Sequence, residues 1–411
     1  MNQRGFCVMD DFDFSGKKVL VRCDFNSPLG ENGEILEFMR IRVYKKTFDR
    51  LKDAKVVAIS HQGRLGNPDC VSLANHARIL AETIEQKVTF VNDLLGEKAR
   101  KAIEEVDVGE VVVLENTRFQ PEDNENASPE QHKESDLVKT LAPHFDYFIN
   151  DAFSVSHRSQ ASVVGFPMVL PSCAGLVVAN EMEAMYKAVE PQNKPAVYCI
   201  GGKKFKEVIK VMEVTLNNNT VEYALVGGAV AHVFLYVRGL VPKECMNVME
   251  EKGDELAKLV ERAKKLDEKF RNRILLPEDI AISFGGREEA PIGDPRLERY
   301  TPMDIGEKTI GKFTEVMNNA KAIISKGPMG AYENPIFLKG TVRTLIAMEN
   351  APGYSLIGGG HMGSIAFDLG IRVDHISTAG GAVLAFMSGE PLPGIEVLKQ
   401  SAQLFKDKIN K

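Results

Sequence analysis

The sequence lacks paired cysteines, long apolar runs and clusters of basic residues. Its six cysteines are widely spaced, no Cys-x-x-Cys pair occurs, and no secretory segment precedes Met9. These absences argue against disulfides and structural zinc and favour reduced thiols in a cytoplasm. The longest apolar runs, such as 163–170, are far shorter than the roughly 20 residues of a membrane span, so no membrane partner is expected.

The chain also carries no excess of basic residues over acidic ones. Lys and Arg number 51 against 57 Asp and Glu, which gives a net charge of −6, and no Lys/Arg run offers a local exception. Such a field repels nucleic acid, which is therefore not an expected partner. With 44% hydrophobic and 26% charged residues, the 411-residue chain is typical of a globular protein, and about 150 residues per domain predicts two or three domains.

Short β-branched runs alternate with helix-like stretches along the chain. Buried apolar strands that alternate with helices indicate parallel sheets covered on both faces, so the predicted fold class is α/β and doubly wound. The predicted strands are 19–21, 56–59, 88–91, 111–114, 147–149, 196–200, 224–226, 322–324 and 355–357.

The alternation breaks near the middle of the chain. Pro167 and Pro171 interrupt it, and a helix-like stretch over 174–189 follows before strands resume; this pattern predicts a domain boundary with a connecting helix. Beyond Pro391 and Pro393 a short terminal helix is expected to pack back on one of the domains. Asp304, three residues before Glu307, is interpreted as a helix capping box.

Ligands of open α/β sheets bind beyond the carboxyl ends of the strands, so the residues at those ends are informative. In the first half they are cations and hydrogen-bonding groups, which suit a small polyanion such as a phosphorylated acid because guanidinium groups pair bidentately with phosphate and carboxylate. These strand-end segments are 22–26, 60–64, 115–118 and 150–153, with His157 and Arg158 shortly after.

In the second half the corresponding positions are rich in glycine. Glycines between a strand and a helix let backbone N–H groups approach an anion, as nucleotide phosphates require, so this half is predicted to bind a nucleotide. The glycine-rich segments are 201–204, 227–228, 326–330, 358–360 and 377–381. Neither the P-loop pattern nor the Gly-x-Gly-x-x-Gly dinucleotide fingerprint occurs among them.

Simpler interpretations exist for each feature taken alone. A single arginine after a strand is usually a surface ion pair, and a single Gly-Gly pair is usually a turn. Their coincidence at several strand ends favours binding sites. No role is assigned to four histidines in helical or loop stretches, namely His76, His132, His144 and His232.

Several of these segments together resemble one family, phosphoglycerate kinase of the archaeal type, essentially from end to end. The matching motifs are VLVRCDFN (19–26), SHQGR (60–64), LENTRF (114–119), NDAF (150–153) with His157 and Arg158, GPMG (327–330) with Glu333, and HISTAGG (375–381). The resemblance implies two Rossmann-like domains joined by a hinge helix, with domain 1–170 binding 3-phosphoglycerate and domain 171–391 binding Mg²⁺ with ATP or ADP. The tail 392–411 would return to the first domain, and the protein would be a cytoplasmic monomer or homodimer.

The resemblance also implies residue roles. Arg40 would meet the transferring phosphoryl group, Lys204 would contact the nucleotide phosphates, and Glu333 would contact the ribose. Implied ligands of 3-phosphoglycerate or 1,3-bisphosphoglycerate are Asp24, Asn26, Arg40, His61, Arg64, Arg118 and Arg158. Implied nucleotide-binding residues are Gly201, Gly202, Lys204, Gly227, Gly228, Glu333, Gly359, Gly360, His361, Met362, Ser377, Gly380 and Gly381, the last three within the turn 377–381.

The chain departs from the family pattern at four places. His361 replaces an aspartate that serves the Mg-nucleotide, which leaves no certain metal ligand. Val208 replaces a second lysine, for which Lys203 or Lys206 could substitute. Lys326 stands in place of an asparagine, and Gln62 and Leu65 alter the motif after the second strand.

The implied reaction is reversible phosphoryl transfer from 1,3-bisphosphoglycerate to ADP, in glycolysis and gluconeogenesis. It needs no general base, because the acceptor carboxylate is already ionised at neutral pH. A hinge over 171–189 is expected to close and exclude water. One alternative is an inactive two-domain protein that binds a sugar-acid phosphate and a nucleotide; another, a nicotinamide-dependent dehydrogenase, lacks its fingerprint.

Overall fold

The computed structural model describes residues 5–377 and 379–409 and divides the chain into two compact units. The first unit comprises residues up to Met182 together with those from Pro391 onward, and the second comprises Glu183–Glu390. The predicted boundary at 170/171 lies before this division, which falls inside the helix Leu176–Val189. No helix in the described part of the chain is long and apolar enough to cross a membrane.

The first unit is built on a six-stranded sheet in which every neighbouring pair is parallel. Its strand order is β3-β4-β2-β1-β5-β6. The strands are β1 (Lys18–Arg22), β2 (Lys55–Ile59), β3 (Lys87–Phe90), β4 (Glu110–Val113), β5 (Tyr147–Asn150) and β6 (Ser172–Ala174).

Both faces of this sheet are buried, which explains why its strands are apolar without alternation. Val19 and Val21 pack into one hydrophobic cluster, whereas Leu20 between them packs into a second. Successive side chains of a strand point to opposite faces, so each face has its own core. The helices of this unit up to the division are α1 (Met39–Arg42), α2 (Lys45–Asp49), α3 (Ala74–Thr83), α4 (Glu97–Glu105), α5 (Pro129–His132), α6 (Asp136–Leu141) and α7 (Leu176–Val189).

The second unit contains another parallel six-stranded sheet, of order β15-β14-β13-β7-β8-β9, and a small antiparallel sheet of order β11-β10-β12. Its strands are β7 (Ala196–Ile200), β8 (Tyr223–Val226), β9 (Ile274–Leu275), β10 (Asp279–Ser283), β11 (Arg287–Pro291), β12 (Asp304–Ile305), β13 (Ala322–Lys326), β14 (Tyr354–Gly358) and β15 (His375–Ser377).

Seven helices accompany these sheets within the described residues, and the terminal helix α15 returns to the first unit. There Gly394 N–H donates to the Ser156 carbonyl at 2.9 Å, and Ser401 Oγ donates to the Leu170 carbonyl at 3.1 Å. The helices are α8 (Phe205–Asn217), α9 (Gly228–Val237), α10 (Gly253–Phe270), α11 (Glu307–Asn318), α12 (Lys339–Asn350), α13 (Gly360–Asp368), α14 (Gly380–Met387) and α15 (Pro393–Leu404).

The predicted α/β class of two doubly wound parallel sheets is confirmed, and all nine predicted strands occur. The interpretation of Asp304 as a capping residue is wrong, because α11 begins at Glu307 with Gly306 as its N-cap. Asp304 instead lies buried in β12, where its carboxylate pairs with Arg287 at 2.7 Å and accepts the Gly340 N–H at 2.8 Å.

Each large sheet has a point where the chain reverses its direction of winding. In the first unit this point lies between β1 and β5, and in the second it lies between β7 and β13. Connections leave such neighbouring strands on opposite sides, which opens a crevice at their carboxyl ends where ligands bind. The fold therefore positions one candidate crevice on each unit.

Candidate functional site

The crevice of the first unit holds a group of buried arginines. Arg22, at the end of β1, is fully buried; its Nε donates to Ser162 Oγ at 2.8 Å, and its guanidinium also donates to the Cys23 carbonyl. Arg118 follows β4 in a turn where the Asn116 side chain accepts the Arg118 N–H at 3.0 Å. The Arg118 guanidinium donates to the Asp123 carbonyl, while its buried Nε has no hydrogen-bond partner.

These cations repel one another, and Asp123 offsets part of the repulsion on Arg118 and Arg158 without forming an ion pair. Among the described residues, no Asp or Glu lies at ion-pair distance from Arg22, Arg118 or Arg158. Burial lowers the pKa of Arg118 to about 10 despite the attraction of Asp123, with Arg22 and Arg158 adding repulsion, and burial also lowers the pKa of Arg158. Because an uncompensated buried charge is costly, this arrangement is suited to an anionic ligand that would pair with the arginines.

His61 lies at the end of β2 beside this cluster and is almost fully buried. Burial, reinforced by Arg22 and Arg118, holds the pKa of His61 well below its ordinary value, so the imidazole is neutral at pH 7. Its Nδ1 lies 3.3 Å from an Arg22 guanidinium nitrogen and accepts a hydrogen bond from it. This assignment leaves Nε2–H as a donor for a ligand oxygen.

Asp24 positions Arg40. The Asp24 carboxylate accepts from Arg40 Nη1 at 3.4 Å, from the Asn26 N–H at 3.1 Å and from Ser154 Oγ. The Arg40 side chain is one-quarter exposed, and its buried Nε has no hydrogen-bond partner. Asp24 therefore fixes one side of the Arg40 guanidinium and leaves other donors for a ligand.

The remaining predicted residues of the first unit are arranged around this group. Asn26 accepts the Gly63 N–H at 2.8 Å, and Arg64 is exposed. Gln62, which departs from the family pattern, has a structural role. Its side-chain amide accepts the Ser27 N–H and donates to the Ser27 carbonyl, and its oxygen also accepts from His76 Nε2 at 3.0 Å. Sequence reasoning noted Arg22 at a strand end but omitted it from the predicted ligands, although its position resembles that of the others.

We expect His76→Gln to reduce the acid sensitivity of the first unit. Burial lowers the pKa of His76 to about 4 from 6.5, so the native state binds fewer protons than the unfolded state, and the contribution of His76 to stability is lost as pH falls from 6.5 towards 4. At pH 5 this loss is about 2 kcal/mol. Urea unfolding at pH 7 and pH 5 measures it; an equal decrease in both proteins would contradict the prediction.

The crevice of the second unit opens into a cavity of about 490 Å³. The turns after β7, β8 and β13 form its wall, with Lys204, Lys326 and His361 on its polar side. His232, to which the sequence analysis assigned no role, also lines it; burial lowers the pKa of His232 to about 4, and its Nδ1 lies 2.8 Å from the Cys245 carbonyl. The cavity is large enough for a small-molecule ligand.

Glycines allow the three turns of this wall to lie against one another. A Cβ on Gly201 would overlap the Pro328 carbonyl, and Gly228 and Gly327 have φ values of 54° and 76°. The N–H groups of Gly201, Gly202, Gly227 and Gly228 all donate to backbone carbonyls. These glycines therefore serve close packing, and their amides are not free to bind an anion.

Unpaired amides are instead expected at the starts of α13 and α14, because the first N–H groups of a helix have no partner within it. Gly360, His361 and Met362 begin α13, and Gly380 and Gly381 begin α14; the Met362 side chain is buried in the core. Ser377 is buried, and its backbone carbonyl accepts a hydrogen bond of 3.0 Å from the Gly359 N–H. Thr378, within the predicted turn 377–381, lies outside the described residues. The start of α8 is already occupied, since Glu251 accepts the Lys206 N–H at 2.7 Å.

Ion pairs hold two other lysines of this region. Lys203 pairs with Glu333 at 3.0 Å, and both residues line the cavity. Lys206 pairs with Glu255 at 2.8 Å, and neither of these residues lines it. His361 stacks on Tyr332 with ring centroids 5.1 Å apart. No group of three or more His, Cys, Asp and Glu side chains that could hold a metal ion occurs within residues 5–377 and 379–409.

We expect Gly201→Ala to weaken ligand binding in this cavity by about tenfold or more, because the new methyl group would force β7 and the 327–330 turn apart. Isothermal titration with ADP, the ligand that the family resemblance implies, measures the loss. Gly311→Ala is the matched control: Gly311 lies within α11 with open space around it, so this variant should bind ADP as the wild type does. Equal affinities of the Gly201 variant and the control would contradict this view of the wall.

A cationic crevice on one α/β unit and a glycine-walled cavity on the other suit a phosphotransferase, which binds an anionic acceptor and a nucleotide. Comparison with known proteins agrees. A family model described as phosphoglycerate kinase matches residues 9–390. The chain is 40% identical to phosphoglycerate kinase of Methanothermus fervidus, over 96% of this chain and 97% of that protein, and 39% identical to that of Aeropyrum pernix, over 97% of each.

Solved structures give the same result. The crystal structure of phosphoglycerate kinase from Pyrococcus horikoshii OT3 matches with a TM-score of 0.88 and 36% identity, covering 96% of this chain and 99% of that one. This chain belongs to the phosphoglycerate kinase family. The predicted class of enzyme, a phosphotransferase with a carboxyl group as acceptor, is thereby confirmed, and the alternative of an inactive binding protein has no support.

Proposed function

We propose that the first unit binds 3-phosphoglycerate or 1,3-bisphosphoglycerate and that the second binds ATP or ADP. The observation that carries the first half of this proposal is the group of Arg22, Arg118 and Arg158, none of which forms an ion pair with a carboxylate among the described residues and which outnumber the nearby Asp123. A substrate that carries both a phosphate and a carboxylate would supply the missing negative charge. The cavity beside the starts of α13 and α14 supports the second half.

The reaction in the direction of ATP consumption balances without a proton transfer. A carboxylate oxygen of 3-phosphoglycerate forms a bond to the γ-phosphorus, and the bond from that phosphorus to the bridging oxygen breaks. The electron pair stays on ADP, and the product is the acyl phosphate. Because the attacking carboxylate is already ionised, the neutral His61 acts as a hydrogen-bond donor and not as a base.

Charge stabilisation would then be the main catalytic contribution of the chain. The transferred phosphoryl group carries its charge on three equatorial oxygens, which cationic side chains stabilise. We assign Arg40, held by Asp24, and Lys204, on the cavity wall, to these oxygens. The other predicted ligands, including Asn26, Arg64 and Glu333, would orient the two substrates.

The residues present do not fit a resident magnesium ion. Mg²⁺ prefers oxygen ligands, whereas the first turn of α13 presents the imidazole of His361, and the described residues contain no group of three or more His, Cys, Asp and Glu side chains that could hold a metal ion. We therefore propose that Mg²⁺ arrives as part of the nucleotide substrate, held by phosphate oxygens and water.

Two further features belong to this proposal. Helix α7 spans the division between the units, and Asp151 anchors its first turn by accepting the N–H groups of Val177 and Val178 at 2.8 and 3.1 Å. We propose that α7 acts as the hinge, because the transferred group must pass between ligands bound to separate units.

All six cysteines are free thiols, which supports a cytoplasmic location.

Separate binding measurements test the assignment of one substrate to each unit. Arg118→Gln is expected to weaken binding of 3-phosphoglycerate at least 100-fold and leave ADP affinity unchanged, whereas Gly201→Ala is expected to weaken ADP binding about tenfold or more and leave 3-phosphoglycerate affinity unchanged. Isothermal titration of each variant with each ligand gives four affinities. If either variant weakened both ligands equally, the assignment would be wrong.

A further inference from the structure

Lys326 occupies the reversal point of the second sheet, a position where a ligand is expected. It is the last residue of β13, paired with Ile200 of β7, and its side chain lines the cavity while only 17% exposed. Its ammonium lies 4.0 Å from the point that a Cβ on Gly380 would occupy, beside the first turn of α14. The charge is therefore directed towards the cavity, next to the helix start that is suited to an anion.

The charge of Lys326 is only partly compensated. Its ammonium pairs with Glu207 at 3.1 Å, and the Glu207 side chain is 45% exposed. Burial lowers the pKa of Lys326, with repulsion from Lys204 acting in the same direction. A desolvated ammonium with one partly hydrated partner gains from a second anion, because each further charge-assisted bond offsets the cost of burial.

The other lysines near the cavity are less well placed. Lys203 is held at the rim by Glu333, and Lys206 is 68% exposed and pairs with Glu255. Val208 lines the cavity with an apolar side chain at the place where the family resemblance implies a lysine. Of the three lysines that line the cavity, Lys203 is about half exposed and pairs with Glu333, and Lys204 already has an assigned role, which leaves the more deeply buried Lys326.

We infer that Lys326 binds the phosphate chain of the nucleotide and supplies the positive charge that is missing at Val208. Glu207 holds the ammonium while the cavity is empty and competes with the nucleotide for it. This inference rests on the proposed binding of ATP and ADP by the second unit, and it identifies the residue that recognises their phosphates.

A series of ligands with different numbers of phosphates tests the inference. Lys326→Gln is expected to weaken ATP binding about 10- to 100-fold, the range for loss of one charge-assisted hydrogen bond, and to leave adenosine binding within about twofold of wild type. Isothermal titration measures ATP, and ligand-observed NMR measures adenosine. The matched control is Lys210→Gln, which removes a half-exposed lysine of α8 that pairs with Glu390 and lies outside the cavity wall, and should bind both ligands as wild type does.

A second variant predicts a change in the opposite direction. Glu207→Gln removes the competing carboxylate. This variant should therefore bind ATP with an affinity between that of wild type and about ten times higher. Unchanged ATP affinity of Lys326→Gln, equal losses of ATP and adenosine, or weaker ATP binding by Glu207→Gln would each overturn the inference. Failure of the wild-type protein to bind ATP would instead refute the proposed function.

Discussion

Replacing Arg40 with alanine is expected to lower kcat about 1,000-fold while weakening 3-phosphoglycerate binding by no more than about tenfold. An arginine that stabilises the transferring phosphoryl group contributes roughly 10³ to 10⁵ in rate. The structure shows Arg40 held by Asp24 at 3.4 Å with other guanidinium donors unused, so most of its interactions are expected to form in the transition state. Steady-state kinetics gives kcat, and isothermal titration gives the affinity for 3-phosphoglycerate.

Arg42→Ala is the matched control for this prediction. Arg42 lies on the same short helix, and its guanidinium packs over the Phe38 ring, 5.5 Å from its centroid. Because nothing places Arg42 among the substrate ligands, its variant should retain wild-type kcat. Equal losses of kcat and of substrate affinity in the Arg40 variant would show that Arg40 binds the ground state and has no special role in the transition state.

Replacing Arg118 with glutamine is expected to weaken 3-phosphoglycerate binding at least 100-fold and to stabilise the ligand-free first unit. Arg118 is 2% exposed, its Nε lacks a partner, and Arg22 and Arg158 repel it. Removing this charge relieves the cost of burying it, which exceeds the attraction of Asp123, since the pKa of Arg118 is still lowered to about 10. The same charge should contribute strongly to binding once a substrate phosphate or carboxylate pairs with it.

Two measurements separate these effects. Isothermal titration gives the affinity for 3-phosphoglycerate, and urea unfolding without ligand gives the stability of the first unit. Arg78→Gln is the control, because Arg78 is 61% exposed and pairs with Glu82 on the surface of α3, so neither quantity should change. A destabilised variant that still binds 3-phosphoglycerate would contradict the prediction.

The fold could be predicted from sequence where its cause is local. Runs such as Val56–Ile59 predicted strands correctly because both faces of a parallel sheet are buried, which makes the strands continuously apolar. The three-stranded antiparallel sheet was missed because β12 has only two residues and β11 is mostly polar. Asp304 was misinterpreted because its pairing with Arg287 is a tertiary contact that the local pattern does not show.

The same distinction applies to the candidate site. Strand ends predicted which segments meet, because the carboxyl ends of parallel strands lie at one edge of a sheet. The sequence could not show that the N–H groups of Gly201 and Gly228 are already bonded, since their partners lie at Lys326 and Met329. Nor could it pair Lys326 with Glu207, which is 119 residues away along the chain.

The most direct test of the central claim is consumption of ATP in the presence of 3-phosphoglycerate and Mg²⁺. The family membership, together with the proposal that each unit binds one substrate, predicts turnover that requires both ATP and 3-phosphoglycerate. Arg40→Ala should reduce that turnover about 1,000-fold. ATP consumption that did not depend on 3-phosphoglycerate, or no consumption at all, would contradict the account.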